Sequence, residues 1–517
     1  ALREHAITGA AWCAWGAASL SMISIAASQS LLAAAIFLLL LGGARWRAPQ
    51  FAWPLVAFIA LTLLSAAFSP DPAGAWPQIR KMYVLLTLPV VFTAFRSAEW
   101  PRRLVWAWVA TGAAAGAWGL VQFWLKWTRA QAAGQEFYVA YVADRITGFM
   151  SHWMTFSSQM MFALLLGAAL WLWGGLRPRL RWTVAAALAV VALALVLAMT
   201  RGIWIAAFCG LVYLVWCWRR WAVVALPVLA LLAVLAGPES LRMRVVSLVQ
   251  PRGEMDSNMH RVVSWRTGMA MVQAHPWLGA GPEQVRLSFD KYVPADIPRP
   301  LPIGFYGHLH NIYLQFAAER GIPAMLAIIS VFLWALWRWR ASTTWLARGG
   351  IAIIIGVLVT GLFEHNLGDS EILMMTLAAL AAVDPPASTK MSSLRDRSII
   401  VAGGAGGLGA ACVRLLAAEG ARVVASYLHN AARAAALSDL ATIIQADLTL
   451  AEDRARLLDA APALYGLVIY AGMAARRDDL LEQSLAVNFT GPLRLAREAA
   501  ARIDRKSTRL NSSHLVI

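Results

Sequence analysis

The chain has 517 residues, of which 60% are hydrophobic and 14% charged, with 25 Trp and a formal net charge of +17. A mean hydropathy of +0.60 excludes an ordinary soluble domain and marks a protein built for a bilayer. Cys13, Cys209, Cys217 and Cys412 stand at no metal or redox spacing, which argues against a disulfide framework.

Apolar runs recur along the first three quarters of the chain, and a span needs roughly 20 apolar residues to cross about 30 Å of hydrocarbon. They lie near 7–28, 30–44, 51–69, 83–96, 103–125, 153–174, 181–199, 202–218, 221–236, 321–339, 346–364 and 367–384. The pattern predicts an α-helical polytopic membrane protein of about 12 transmembrane helices. The second and fourth runs are short enough to tilt or re-enter. With no initiator Met and no cleavage pattern, the start at Ala1 reads as a truncation, and the first span itself would direct insertion.

Lysines and arginines of short loops stay on the cytoplasmic side. Alternate connections carry Arg45 and Arg47; Arg96, Arg102 and Arg103; Arg177, Arg179 and Arg181; Arg219 and Arg220; then Arg338, Arg340 and Arg348. Both termini are therefore expected in the cytoplasm. The positive charge is largely this topological signal plus a basic C-terminal region, so no nucleic-acid partner is expected.

On the outward side charges are few, and each needs a reason. Arg201 follows the seventh run with almost no loop, in Thr200-Arg201-Gly202. It either snorkels to headgroups or anchors an anionic lipid-linked substrate. The connection of about 237–310 is the longest in the membrane region, and loops of that length are usually functional. Within it Ser257 to Ala274 reads as an amphipathic helix carrying Asn258, Arg261, Trp265 and Arg266, stopped by His275-Pro276-Trp277-Leu278-Gly279-Ala280-Gly281-Pro282. Its arginines either grip a diphosphate by bidentate bonds or solvate the helix's outer face.

The same loop ends on Gly307-His308-Leu309-His310-Asn311. A neutral imidazole there can take a proton from an attacking hydroxyl, a role worth about 10²–10⁴-fold. His310 is the main candidate, with His308 as its neighbour and His152 and His275 as weaker ones. Glu364 and Asp369, between the last two spans, either orient His310 or an arginine, or cap a helix. No carboxylate cluster has divalent-cation spacing, so no metal site is expected.

Taken in order, Arg145-Ile146-Thr147-Gly148, Thr200-Arg201-Gly202, Arg261 with Trp265, His275-Pro276 with Gly279 and Gly281, and His310-Asn311 with Leu314 resemble the O-antigen ligase family over about 1–385. That larger group also holds O-antigen polymerases and protein O-oligosaccharyltransferases. The resemblance implies a metal-independent, inverting glycosyltransferase of lipopolysaccharide biosynthesis, working at the periplasmic face of the bacterial inner membrane. It implies that a glycan moves from undecaprenyl diphosphate to a sugar hydroxyl of lipid A-core, with no cofactor. His310 would be the general base, and Arg201 and Arg261 would stabilise the departing diphosphate. Arg145, Arg266, Asn311 and Asp369 are expected to contact substrate. A glycan or lipid transporter is the rival of another class, but transporters place polar groups at mid-membrane on broken helices. Here polarity collects in one outward loop.

Past a linker at 386–390 the composition changes, and Met391-Ser392-Ser393-Leu394 looks like the start of an unrelated protein. A strand over Ser398 to Ala402 runs into Gly403-Gly404-Ala405-Gly406-Gly407-Leu408-Gly409 and a helix, the arrangement that receives a dinucleotide pyrophosphate. The segment 391–505 resembles the N-terminal half of a short-chain dehydrogenase/reductase, a partial α/β Rossmann-like domain. Gly403, Gly407 and Gly409 fit its glycine pattern, Asp447 its adenine contact, and Ala471-Gly472 and Asn488 later motifs. Ile469-Tyr470 replaces the family's Asn-Asn, and the chain ends before a catalytic Ser or Tyr-x-x-x-Lys. The expectation is a segment without reductase activity, with the tail at 506–517 foreign to either part. If it bound a cofactor, the absence of an acidic residue at the end of Arg422 to Ser426 favours NADP over NAD. Were this segment the working part, the protein would be a membrane-anchored reductase.

Overall fold

The structure is a computed structural model that describes residues 2–237, 239–246, 257–302, 304–383, 394, 396–472 and 478–503. The expected linker and tail, and the Met391 restart, lie outside the described residues. The chain divides into two units, Ala1–Ala387 and Ser388–Ile517.

Among its described residues the first unit has helices and no strands. Its helices are α1 (Leu2–Leu20), α2 (Ile25–Leu41), α3 (Trp53–Ala67), α4 (Trp76–Lys81), α5 (Thr87–Ala94), α6 (Glu99–Ala132), α7 (Phe137–Ala143), α8 (Trp153–Trp173) and α9 (Pro178–Leu197). Then follow α10 (Arg201–Trp218), α11 (Ala225–Ala236), α12 (Glu239–Val246), α13 (Ser257–Ala274), α14 (Gln284–Tyr292), α15 (Ile312–Arg320), α16 (Ile322–Trp339), α17 (Trp345–Gly361) and α18 (Ser370–Val383). Among the described residues 6 helices are long and apolar enough to cross a membrane, namely Gln50–Ala67, α6, α8, α9, α10 and α16. Ile25–Leu41, Arg220–Ala236, Trp345–Gly361 and Ser370–Val383 are apolar but shorter.

Local chemistry sets several boundaries. The first expected span ends at Leu20 because Ser24 caps α2, its hydroxyl accepting from the Ala27 N–H at 3.4 Å. The fourth, expected over 83–96, is a 3₁₀ turn, Met82–Leu86, followed by the eight residues of α5. Pro89 lacks the N–H that would bond the carbonyl of Leu85, so one α-helix cannot run through both. In contrast, α6 continues seven residues beyond its expected end, from 125 to Ala132.

At the centre stands α8, whose apolar window is 83% buried, as expected of a helix hydrophobic on all sides. It packs against α6, α9, α10 and α17. Small residues permit the close approaches: a Cβ on Gly112 of α6 would lie 2.7 Å from that of Ala163, and one on Gly210 of α10 3.1 Å from the Ala352 carbonyl of α17. The long connection builds a core of its own from Val263, Met271, Val285, Phe289, Leu309 and Ala318.

The second unit is a parallel sheet in the order β3-β2-β1-β4, from β1 (Ser398–Ala402), β2 (Arg422–Tyr427), β3 (Ala441–Gln445) and β4 (Leu464–Ile469). Between and after the strands run α19 (Gly407–Ala418), α20 (Ala431–Ala435), α21 (Ala451–Asp459), α22 (Leu481–Leu485) and α23 (Gly491–Arg502). Alternation along the strands sends Ile400, Ala402 and Val424 into a core with Leu457, Leu458 and Leu495. Val401, Val423 and Ala425 join Val413 and Leu437 on the opposite face. A sheet covered on both faces is the parallel, doubly wound pattern.

Candidate functional site

Segments far apart in sequence meet at a cavity of about 90 Å³ lined by Arg145, Arg201, Arg244, His260, Arg261, His310 and Glu364, with Met154, Thr200 and Gly202. Five of these, Arg145, Arg201, Arg261, His310 and Glu364, are candidates from sequence. The space suits a compact anion or a few waters.

His310 arrives there through an unusual backbone. It has φ of +49°, in the left-handed region that non-glycine residues rarely adopt. The strained residue sits directly before Asn311, whose Oδ1 accepts from the Leu314 N–H at 2.9 Å and caps α15. His310 is 8% exposed. Its Nδ1 lies 3.5 Å from Glu364 Oε2, while its Nε2 is buried with no protein partner. The rings of His308 and His260 stand at 4.2 and 5.1 Å from its own.

The other oxygen of Glu364 accepts from Arg261 Nη2 at 2.6 Å, so one buried carboxylate serves both groups. Arg261 projects from α13, beside His260, whose Nε2 is 3.0 Å from the Phe305 carbonyl. That helix is held against α15 at Gly268, where an added Cβ would lie 2.8 Å from Leu314 Cδ2.

A second strained residue prepares the arginine side. Met199, with φ of +50°, turns its carbonyl toward Arg244 Nε at 3.0 Å and Arg145 Nη1 at 3.5 Å. The next residues, Thr200 to Gly202, open α10, whose positive helix end lines the cavity together with the buried Arg201. Arg145 also stacks on Trp153, 4.9 Å from the ring centroid. Burial, then repulsion from Arg244, pushes Arg145 down to about 9, with Glu364 opposing the shift. It stays protonated at neutral pH, and its environment is short of negative charge.

The histidines around His310 are held neutral. Burial, then His310, pushes His260 down to about 4, and burial carries His365 to about 3 and His308 lower still.

Three sequence candidates are placed elsewhere. Arg266 leaves the other face of α13 and pairs with exposed Asp296 at 2.7 and 2.9 Å. Asn311 has both ends engaged, Oδ1 in the cap and Nδ2 donating to the Leu362 carbonyl at 3.2 Å. Asp369 accepts from Thr155 Oγ1 at 2.8 Å, and burial raises its carboxyl. Arg244 and His260 were not singled out from sequence. Arg244 is one of several arginines in the long connection, and only the fold distinguishes it from its neighbours. Among the described residues no group of three or more His, Cys, Asp or Glu is arranged to hold a metal ion.

In the second unit, Gly403, Gly406, Ser426, Arg433, Asp447 and Gly472 are among the residues around a cavity of about 560 Å³. Gly403 has φ of +80°, and a Cβ there would lie 2.5 Å from the Ala471 nitrogen. Gly407 opens α19 with free space before it, and Gly409 packs on the Gly403 carbonyl with no room for a side chain. Asp447 Oδ1 accepts from the Thr449 N–H and hydroxyl, at 2.9 and 2.7 Å. Asn488 is outside that cavity and donates to Ser484 Oγ at 2.9 Å. The glycine turn, the helix start and the adjoining cavity fit the pyrophosphate and adenosine of a nicotinamide dinucleotide.

Comparison with known proteins supports the reading of both domains. Residues 186–329 match the family model described as O-antigen ligase, and residues 397–510 the one described as short chain dehydrogenase. The short chain dehydrogenase ausX of Penicillium brasilianum is 28% identical over 120 residues, which cover 21% of this chain and 46% of that protein. Among solved structures, a double mutant of a Serratia marcescens short-chain dehydrogenase/reductase is 29% identical over 22% of this chain and 53% of its own, with a TM-score of 0.21. A dehydrogenase/reductase from Sinorhizobium meliloti 1021 is 30% identical, with the same coverage and a TM-score of 0.21. The chain thus spans about half the length of the relatives it matches. It is a multi-pass membrane protein that carries an O-antigen ligase family domain over residues 186–329 and a partial short-chain dehydrogenase domain over 397–510.

Proposed function

We propose that the helical unit is an inverting, metal-independent glycan ligase that takes a glycan from undecaprenyl diphosphate and joins it to a sugar hydroxyl of lipid A-core. The observation that carries this reading is that His310, whose Nε2 is buried with no protein partner, lines a cavity together with Arg145, Arg201, Arg244 and Arg261. A base stands where an alcohol must lose its proton, and cations stand where an anion must depart.

The Glu364 carboxylate near Nδ1 favours the tautomer with its proton on that nitrogen, which leaves the Nε2 lone pair to accept. The acceptor hydroxyl gives its proton to Nε2 as its oxygen attacks the anomeric carbon. The bond from that carbon to the diphosphate oxygen breaks with inversion, and the electron pair leaves with the lipid diphosphate among the arginines. The site then faces the periplasm of the inner membrane, with both termini in the cytoplasm.

The second unit is proposed to be inactive as a reductase, whatever NADP or NAD it binds, because Ile469-Tyr470 stands where the short-chain dehydrogenases it resembles carry Asn-Asn. Cells that lack their own ligase test the ligase reading. Expression should attach glycan to lipid A-core and deplete free core. Unchanged free core with altered glycan length would instead identify a polymerase, and glycan on protein a protein O-oligosaccharyltransferase.

A further inference from the structure

Beyond the arginine and histidine cavity, the first unit holds a larger one that the transfer mechanism does not use. The end of α6 presents Trp124 and Trp127, 59% and 44% exposed, beside Phe123. Phe137 and Tyr138 of α7 face them, and Glu239 and Met243 of α12 complete a cavity of about 700 Å³. Its remaining described polar groups are Gln131, Gln135 and Glu136, and among the described residues no lysine or arginine lines it.

That combination is selective. Aromatic faces pack against the C–H surfaces of a sugar ring, while amides and carboxylates pair with its hydroxyls. The volume is that of a small-ligand site with a few directed polar groups. Tryptophans also occur as interfacial anchors, but among the described lining residues an anionic phospholipid headgroup would meet the carboxylates of Glu136 and Glu239 and no lysine or arginine.

Two elements join this cavity to the proposed reaction site. On α12, Met243 lines the aromatic cavity and the next residue, Arg244, lines the arginine cavity. Tyr138 of α7 lines the aromatic cavity, and Arg145, two residues past that helix, lines the arginine cavity. Resting on the transferase reading, we infer that the cavity between α6, α7 and α12 is a saccharide subsite, holding uncharged sugars of the donor glycan while its diphosphate lies among the arginines.

The test uses the full chain in lipid nanodiscs. The probe is the free oligosaccharide released by mild acid from the host's undecaprenyl-diphosphate glycan, titrated by calorimetry. The subsite predicts that Trp127→Ala and Gln131→Ala weaken binding at least tenfold, and that Trp127→Phe retains most of it. His310→Ala and Arg261→Ala should leave it unchanged, because the probe carries no diphosphate. Equal binding by the native chain and Trp127→Ala overturns the subsite, as does no binding by the native chain. So does a Trp127→Ala variant that loses only co-purifying phospholipid by native mass spectrometry. Binding that depends on Trp127 in a chain that transfers nothing would keep the subsite and sink the transferase reading. Transfer with binding indifferent to Trp127 would do the reverse.

Discussion

Arg261 and His310, brought from opposite ends of the α13 to α15 segment, share one carboxylate: Glu364 accepts from Arg261 at 2.6 Å and lies 3.5 Å from His310 Nδ1. Under the proposed mechanism this places base and leaving-group cation on a common support. Glu364→Gln keeps the shape but removes the charge that favours the reactive tautomer. Turnover should fall about 10- to 100-fold, within the range of a general-base contribution, while donor KM changes little. Steady-state transfer in membranes checks this, and a variant altered only in KM would reduce Glu364 to a binding role.

Arg244 and Arg266 separate a buried cation from an exposed one. Arg244→Ala removes a guanidinium that lines the cavity and donates to the Met199 carbonyl, and transfer should drop on the order of 10²-fold, as for other lost charge-stabilising donors. Arg266→Ala breaks only a solvent-exposed pair with Asp296, where screening leaves little interaction. Its transfer should stay within about threefold of the native value. Equal losses in the two variants would contradict the placement of the anion.

The neutral histidines make stability depend on pH. His260 titrates near 4 in the fold against an ordinary value of 6.5, and His308 and His365 are also depressed, with burial the leading cause. Between pH 6.5 and about 4 the unfolded chain therefore binds more protons than the folded one. Stability rises with pH across that window and is lost as pH falls through it. Thermal unfolding followed from pH 7 to pH 4 should show a declining midpoint, and His260→Gln should flatten the decline. A midpoint that rises on acidification would contradict the assignment.

For the second unit, the full chain should show no hydride transfer from NADPH or NADH to a panel of ketones and aldehydes. Spectrophotometric oxidation of the nucleotide checks it, and robust turnover would restore the membrane-anchored reductase reading.

Much of the site was readable because its residues carry chemistry that a bilayer protein has little other use for. Arg201 and His310 stood out where apolar sequence resumes, Arg261 on an amphipathic helix of the long connection and Arg145 through the family resemblance, and all four line one cavity. Composition could not rank one arginine of a long connection above another. Arg244 lines that cavity while Arg266 pairs with Asp296, a difference set by helical phase and the left-handed Met199 rather than by composition. Asn311, expected to contact substrate, caps α15, a role open to any Asn before an apolar run. The strain at Met199 and His310 left no trace in sequence, since glycine, the usual marker of positive φ, is absent at both. For the fold, hydrophobic runs located the helices, while Pro89 broke one run that hydropathy alone joined.

The central claim, that His310 is the base of a glycan transfer, is tested most directly by reconstituting the native chain and His310→Ala with undecaprenyl-diphosphate glycan and lipid A-core. The account predicts transfer by the native chain and a loss of about 10²–10⁴-fold in the variant, with donor binding retained. Undiminished transfer by His310→Ala would contradict it.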